Sequence, residues 1–180
     1  YDLKKAIVNK FSKENNLFYD IENISVGAGG KHVIYNLFMA SLDLNDEVII
    51  PAPYWVSYPD IVSLCGGKPV IVDTKIEDDF KITSSELEKN ISKNTKWFII
   101  NSPGNPTGSV YTEEELKKIS EVLAKYPHVN ILSDDIYEHI IYNPEKFLNI
   151  VSLYLLRHIF SFNLSLKKFK PYIQDPFSLI

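Results

Sequence analysis

Near the start of the chain Leu3, Ile7 and Phe11 recur at four-residue spacing, with Lys4, Lys5, Lys10 and Lys13 between them. One apolar stripe opposite a charged one predicts an amphipathic helix from residue 2. It lacks a capping residue, so a preceding segment is expected. A polar passage then leads through Ile24-Ser25-Val26 into Gly27-Ala28-Gly29-Gly30. Val33, Ile34, Leu37, Phe38 and Leu42 predict a second helix, largely buried because few charges interrupt it.

From there the period changes repeatedly. Apolar runs at 47–51, 69–73, 96–100 and 129–133 are short and rich in β-branched or aromatic residues, as in buried strands of a mainly parallel sheet. Helical segments alternate with them. Pro59 can open one that ends near Gly66-Gly67. Ser85 with Glu88, and Thr112 with Glu115, match the spacing of a capping box. The second pair precedes Leu116, Ile119, Val122 and Leu123, an amphipathic pattern. Alternation of this kind predicts an α/β fold with a doubly wound, mainly parallel sheet and right-handed crossovers.

The pattern fails after about residue 151. Residues 152–180 contain no Gly, Ala, Val, Thr or Glu, and Asp175 is their only acid. Four basic residues there, Arg157, Lys167, Lys168 and Lys170, outweigh that one acid. No 2.0 or 3.6 period is sustained, so no regular element is expected. The organisation predicted is a domain over 1–151 followed by an atypical tail over 152–180, foreign in character to the fold.

Composition narrows the function. A formal net charge of -4 and the lack of a basic run argue against nucleic acid as a partner. No apolar stretch approaches the roughly 18 residues that span a bilayer, so no membrane association is expected. Cys65 is the only cysteine, which excludes an internal disulfide and favours the cytoplasm. Of the 19 basic residues only Arg157 is an arginine. A function that needs two guanidinium clamps for carboxylates or phosphates is therefore incomplete within these residues.

Ligands of open α/β sheets bind beyond the carboxyl ends of the strands, and four unusual groups stand at such positions. Gly29-Gly30-Lys31 opens a helix, where free N–H groups meet anions, although two glycines also make a plain tight turn. The P-loop and dinucleotide patterns both fail, with His32 at the discriminating position. Pro53-Tyr54-Trp55-Val56-Ser57-Tyr58 offers a stacking wall for a planar ring, or core aromatics. Asn101-Ser102-Pro103-Gly104-Asn105-Pro106-Thr107-Gly108 is an irregular loop presenting Asn105. Ser133-Asp134-Asp135-Ile136-Tyr137-Glu138 places a carboxylate at a strand end. That charge needs a positive partner if buried, and as a motif it also fits a helix cap or a metal-binding acid.

In series, these four motifs resemble the aspartate-aminotransferase-like (class I) family of fold-type I pyridoxal-phosphate enzymes over residues 2–150. The resemblance implies part of that family's large, cofactor-binding domain. Pyridoxal 5'-phosphate would be held by N–H groups at Gly29, Gly30 and Lys31. Trp55 would stack on its ring, Asn105 and Tyr137 would bind its phenolic oxygen, and Asp134 would pair with its ring nitrogen. Trp55 and Asn105 would also face the substrate. No metal is implied. The activity implied is amino transfer between an amino acid, aspartate first, and a 2-oxo acid, in a homodimer at full length.

The departures from the family pattern bear on activity. The family's Schiff-base lysine lies in a Ser-Lys segment followed by Gly-x-Arg-x-Gly, and that pattern does not occur. Lys167 and Lys168 follow Asp134 at a suitable distance after Ser165, but Phe169-Lys170-Pro171 comes next. No catalytic residue is therefore identified, and the chain alone is expected to be inactive. The alternatives are a non-catalytic binding fragment of the same fold, or another fold-type I enzyme such as a lyase or decarboxylase.

Overall fold

The computed structural model describes residues 1–142 and 147–153, together with the main chain of 159–162. Helix α1 (Asp2–Asn15) has no side-chain cap at its start and ends at Asn16, in the left-handed conformation that asparagine tolerates. Helix α2 spans Gly30–Ser41, β1 Glu47–Ala52, α3 Ser57–Leu64, β2 Lys68–Asp73, α4 Ser84–Asn90 and β3 Thr95–Asn101. Helix α5 (Glu113–Lys125), β4 (Asn130–Asp134), α6 (Ile150–Leu153) and β5 (Ile159–Phe162) follow.

The strands form one sheet in the order β2-β1-β3-β4-β5, and every neighbouring pair is parallel. Successive side chains of a strand point to opposite faces, and the core divides accordingly. Ile49, Phe98, Ile100 and Ile131 pack with Leu87 of α4, Leu116 and Ile119 of α5, and Ile150 of α6. Val48, Ile50, Trp97, Ile99 and Leu132 pack on the other face with Ile34 and Phe38 of α2 and Ile61 and Val62 of α3. Helices cover both faces, so the sheet is doubly wound, as the alternating pattern predicts. Its order reverses between β1 and β3, where two neighbouring loops depart in opposite directions and leave a crevice at the carboxyl ends.

Four expectations are corrected. Helix α2 buries only Ile34 and Phe38, and Met39 is 53% exposed. A helix lying on a sheet hides one side only, and a scarcity of charges does not say what covers the other. Strand β2 lies at the sheet edge with Ile71 40% exposed, so it is not fully buried. Helix α4 is capped by Thr83 with Glu86, not by Ser85 with Glu88. The chain is pinned just before it: Ile82 is buried and its N–H donates to the Tyr111 hydroxyl at 3.0 Å. Finally, β5 pairs with β4 inside the stretch where no regular element was expected, because a sheet edge can recruit a strand through main-chain hydrogen bonds whatever its side-chain period. Arg157, Lys167 and Lys168, and with them the expectation of no regular element in the rest of the tail, lie outside the described residues.

A buried polar knot fastens α1 to the segment after β4. Lys10 pairs with Glu138. The Lys10 ammonium also donates to Asn15 Oδ1 at 2.8 Å, and Asn15 Nδ2 donates to Glu138 Oε2 at 2.9 Å. Glu138 directly follows Tyr137, so this knot reaches the edge of the crevice.

Candidate active site

The loop before α2 is shaped by glycine. A Cβ on Gly27 would stand 2.8 Å from Val33 Cγ2, so only glycine fits without a shift. Gly29, at φ 113°, caps α2 in a conformation that side chains disfavour. His32 secures the turn by accepting the Ala28 N–H at its Nδ1, 3.0 Å away. The first N–H groups of the helix, at Gly30 and Lys31, have no intrahelical partner and carry the positive end of the helix dipole.

Beyond β1 the chain turns through Trp55 into α3. Tyr58, in the first turn of that helix, is 2% exposed, and its ring meets Trp55 edge-on with centroids 5.4 Å apart. Its hydroxyl donates to Asp134 Oδ2 at 2.5 Å. Asp134, the last residue of β4, is 5% exposed, and its Oδ1 accepts the Ile136 N–H at 3.3 Å. Burial raises the Asp134 carboxyl above the usual aspartate range, against the lowering effect of these two donors. Burial, and then the Asp134 charge, pushes the Tyr58 hydroxyl well above the ordinary tyrosine value.

The loop after β3 is tied to the same strand end. Asn101 Nδ2 donates to the Asp134 main-chain carbonyl at 2.8 Å, and Asn101 Oδ1 accepts the Asn105 N–H at 2.7 Å. The Ser102–Pro103 and Asn105–Pro106 peptide bonds in this loop are cis.

Gly30, Lys31, Trp55, Asn105, Asp134 and Tyr137 line one cavity of about 220 Å³, joined there by Ile34, Tyr58, Asn101 and Ile136. Gly29 stands at the helix cap, outside this lining. The cavity opens where β1, β3 and β4 end, beside the reversal in strand order. The Lys31 ammonium lies 5.2 Å from the centre of the Trp55 ring. Tyr58 and Asn101 belong to the quoted motifs but were not singled out as site residues. Their positions after strand ends were the available signal, whereas their bonds to Asp134 depend on the strand order.

The arrangement suits a flat ligand with an anionic group and a cationic ring atom. Helix N–H groups meet the anion, Trp55 offers a face, and a buried carboxyl awaits a cation. Among the described residues the carboxyl's partners are neutral donors, so a negative charge there would be desolvated and without a cationic partner.

Comparison with known proteins agrees with this architecture. The family model "Aminotransferase class I and II" matches residues 1–163. A probable aspartate/prephenate aminotransferase of Rickettsia felis is 58% identical over 151 residues, which cover 84% of this chain and 37% of the relative. The aspartate/prephenate aminotransferase of Nitrosomonas europaea is 53% identical over 83% of this chain and 38% of its own length. The crystal structure of the aspartate aminotransferase from Rhizobium meliloti superimposes with a TM-score of 0.89 at 44% identity, covering 90% of this chain and 41% of that one. The chain thus spans about two fifths of the length of these relatives. On the match over residues 1–163, the chain belongs to the class I and II aminotransferase family.

Proposed function

We propose that these residues form the front part of the large domain of a pyridoxal-phosphate aminotransferase. It would move an amino group between an amino acid and a 2-oxo acid. The names of the relatives favour aspartate and prephenate among the substrates. The observation that carries the reading is the buried Asp134 carboxyl, without a cationic partner among the described residues, in a cavity shared with Trp55, Asn105, Tyr137 and a helix N-terminus.

In this reading the N–H groups at Gly29, Gly30 and Lys31 bind the cofactor phosphate. Trp55 packs on the ring face and, with Asn105, borders the substrate. Asn105 and Tyr137 hydrogen-bond the phenolic oxygen. Asp134 holds the proton on the ring nitrogen. When bound, the cofactor supplies an electron sink for the α-carbon of the amino acid, and a protonated ring nitrogen deepens that sink. The whole enzyme is a homodimer in the cytoplasm. The composition changes after about residue 151, but the domain runs further, because β5 (Ile159–Phe162) joins its sheet and the family match reaches residue 163. Within the 180 residues no lysine stands in the pattern that joins the cofactor covalently, which favours binding without turnover by this chain alone.

The test is a titration with pyridoxamine 5'-phosphate, which carries an amine and needs no lysine to bind. Quenching of Trp55 fluorescence, absent in Trp55→Phe and weakened at least tenfold in Asp134→Asn, supports the reading. Equal affinity in Asp134→Asn would remove its basis.

A further inference from the structure

The hydroxyl of Tyr58 and the carboxyl of Asp134 lie 76 residues apart in sequence and 2.5 Å apart in space. Neither group can move readily. Tyr58 is packed with Phe38, Ile61 and Trp97, and Asp134 is fixed at the end of a central strand. A carboxylate has about four acceptor positions. Tyr58 takes one on Oδ2 and the Ile136 N–H takes one on Oδ1, which leaves one on each oxygen. The same tyrosine ring braces Trp55 edge-on.

We propose that Tyr58 is a positioning residue for the contact with the ring nitrogen. Its hydroxyl holds the Asp134 carboxylate ionised and fixed in rotation, while its ring sets the plane of Trp55. One side chain thereby orients the two surfaces that a flat cationic heterocycle would touch. This rests on the cofactor reading above and adds to it a residue outside the quoted contacts.

The electrostatic surroundings agree. Burial works against the charge on Asp134, and the Tyr58 hydrogen bond favours it more than the Ile136 N–H does. Asp135, the neighbouring acid, is turned to the Ser133 hydroxyl and the Asn149 amide. Lys31 and Tyr137 are the other titratable groups that line the cavity. Without the Tyr58 hydroxyl the carboxyl would keep its proton to higher pH and pair less well with a ring N–H.

The experiment uses the 180-residue chain with labelled aspartate and follows the Asp134 carboxyl carbon by NMR as the pH is changed. Tyr58→Phe keeps the ring and its contact with Trp55 and removes only the hydroxyl. In that variant Asp134 is expected to titrate at higher pH. Pyridoxamine 5'-phosphate should bind about tenfold more weakly at neutral pH, the scale of one hydrogen bond to a charged group. In an Asp134→Asn background the same change should alter affinity less than about twofold, because the partner is gone. An unchanged Asp134 titration, or equal weakening in the Asn background, overturns the proposal. A further measurement leaves Tyr58 untouched: a far-downfield, slowly exchanging hydroxyl proton, lost in Asp134→Asn, reports the same bond, and its absence from the unmodified chain counts against it. Failure of the unmodified chain to bind the probe overturns the cofactor reading. The carboxyl titration needs no ligand and still upholds or overturns the coupling of Tyr58 to Asp134.

Discussion

The Asn101 side-chain amide donates to the Asp134 main-chain carbonyl at 2.8 Å, which joins the ends of two adjacent parallel strands just where the sheet stops. The same side chain accepts the Asn105 N–H at 2.7 Å and so hangs the loop carrying Asn105 from the strand that carries Asp134. Asn101→Leu removes both bonds; the Asp134 carbonyl keeps the Ser102 N–H at 3.3 Å, while the Asn105 N–H loses its acceptor in a half-buried place. The expected cost is about 2 kcal/mol, from about 1 kcal/mol per hydrogen bond, read as a lower urea midpoint at unchanged slope. Affinity for pyridoxamine 5'-phosphate should fall as well, since the Asn105 loop loses its anchor. A variant as stable as the unmodified chain would show that the tie contributes nothing.

Helix α4 offers a second test. The Thr83 hydroxyl accepts the Glu86 N–H at 3.2 Å, and Glu86 Oε2 accepts the Thr83 N–H at 3.1 Å. Thr83→Ala should cost about 1 kcal/mol, the usual value of a lost cap. Ser85→Ala lies inside the first turn and should cost less. The reverse order in thermal denaturation would restore Ser85 as the cap.

This pair also shows what could be read from the sequence. Thr83/Glu86 and Ser85/Glu88 have the same spacing, so local pattern cannot choose between them. The choice is made by the Ile82 anchor, whose bond to Tyr111 spans 29 residues. The four central and edge strands were legible because parallel strands between two helix layers need continuous apolar runs. The partner of Asp134 was not legible as a hydrogen bond, because Tyr58 meets it only through the order β1-β3-β4. Three of the four motifs stand at the ends of β1, β3 and β4, and that placement foretold their convergence; Gly29-Gly30-Lys31, expected after a strand as well, follows none and reaches the cavity as the start of α2. The sequence could not foretell that Met39 would face outward, since exposure depends on what packs against a helix.

The Lys10–Glu138 pair gives a prediction on stability. Both side chains are buried, and Asn15 bridges them. Replacing Lys10 with methionine leaves the Glu138 charge without its ammonium. Removing one partner of a buried pair costs about 3–5 kcal/mol. The double variant Lys10→Met with Glu138→Leu should recover much of this loss. Equal stability of the single and double variants in urea would contradict the account.

Asp134 should also leave a mark on the pH dependence of folding. Its carboxyl is raised in the folded chain above the ordinary value of 3.8. Below that value both states hold the proton. As pH rises, the unfolded chain releases its proton first, so stability is lost until the raised folded pKa is passed. Asp134→Asn removes this loss. The variant should be more stable than the unmodified chain at pH 7 without ligand, and the gap should close near pH 3. A gap that is constant with pH would mean that Asp134 is not desolvated as described.

The last prediction concerns covalent capture of the cofactor. The cavity contains a lysine, Lys31, but its ammonium lies against the Trp55 ring at the helix N-terminus where the phosphate would bind. A phosphate there would pair with that ammonium and commit it to an ion pair at the helix N-terminus. Lys167 and Lys168 lack the arginine pattern that would set a phosphate beside them. The 180-residue chain is therefore expected to bind pyridoxal phosphate reversibly and to release it on dialysis. Borohydride treatment followed by peptide mass spectrometry should find no stoichiometric pyridoxyl group on Lys31, Lys167 or Lys168. Aspartate and 2-oxoglutarate should give no turnover. A stoichiometric adduct on one of these lysines, lost on its substitution by alanine and accompanied by turnover, would show that the chain carries its own catalytic amine.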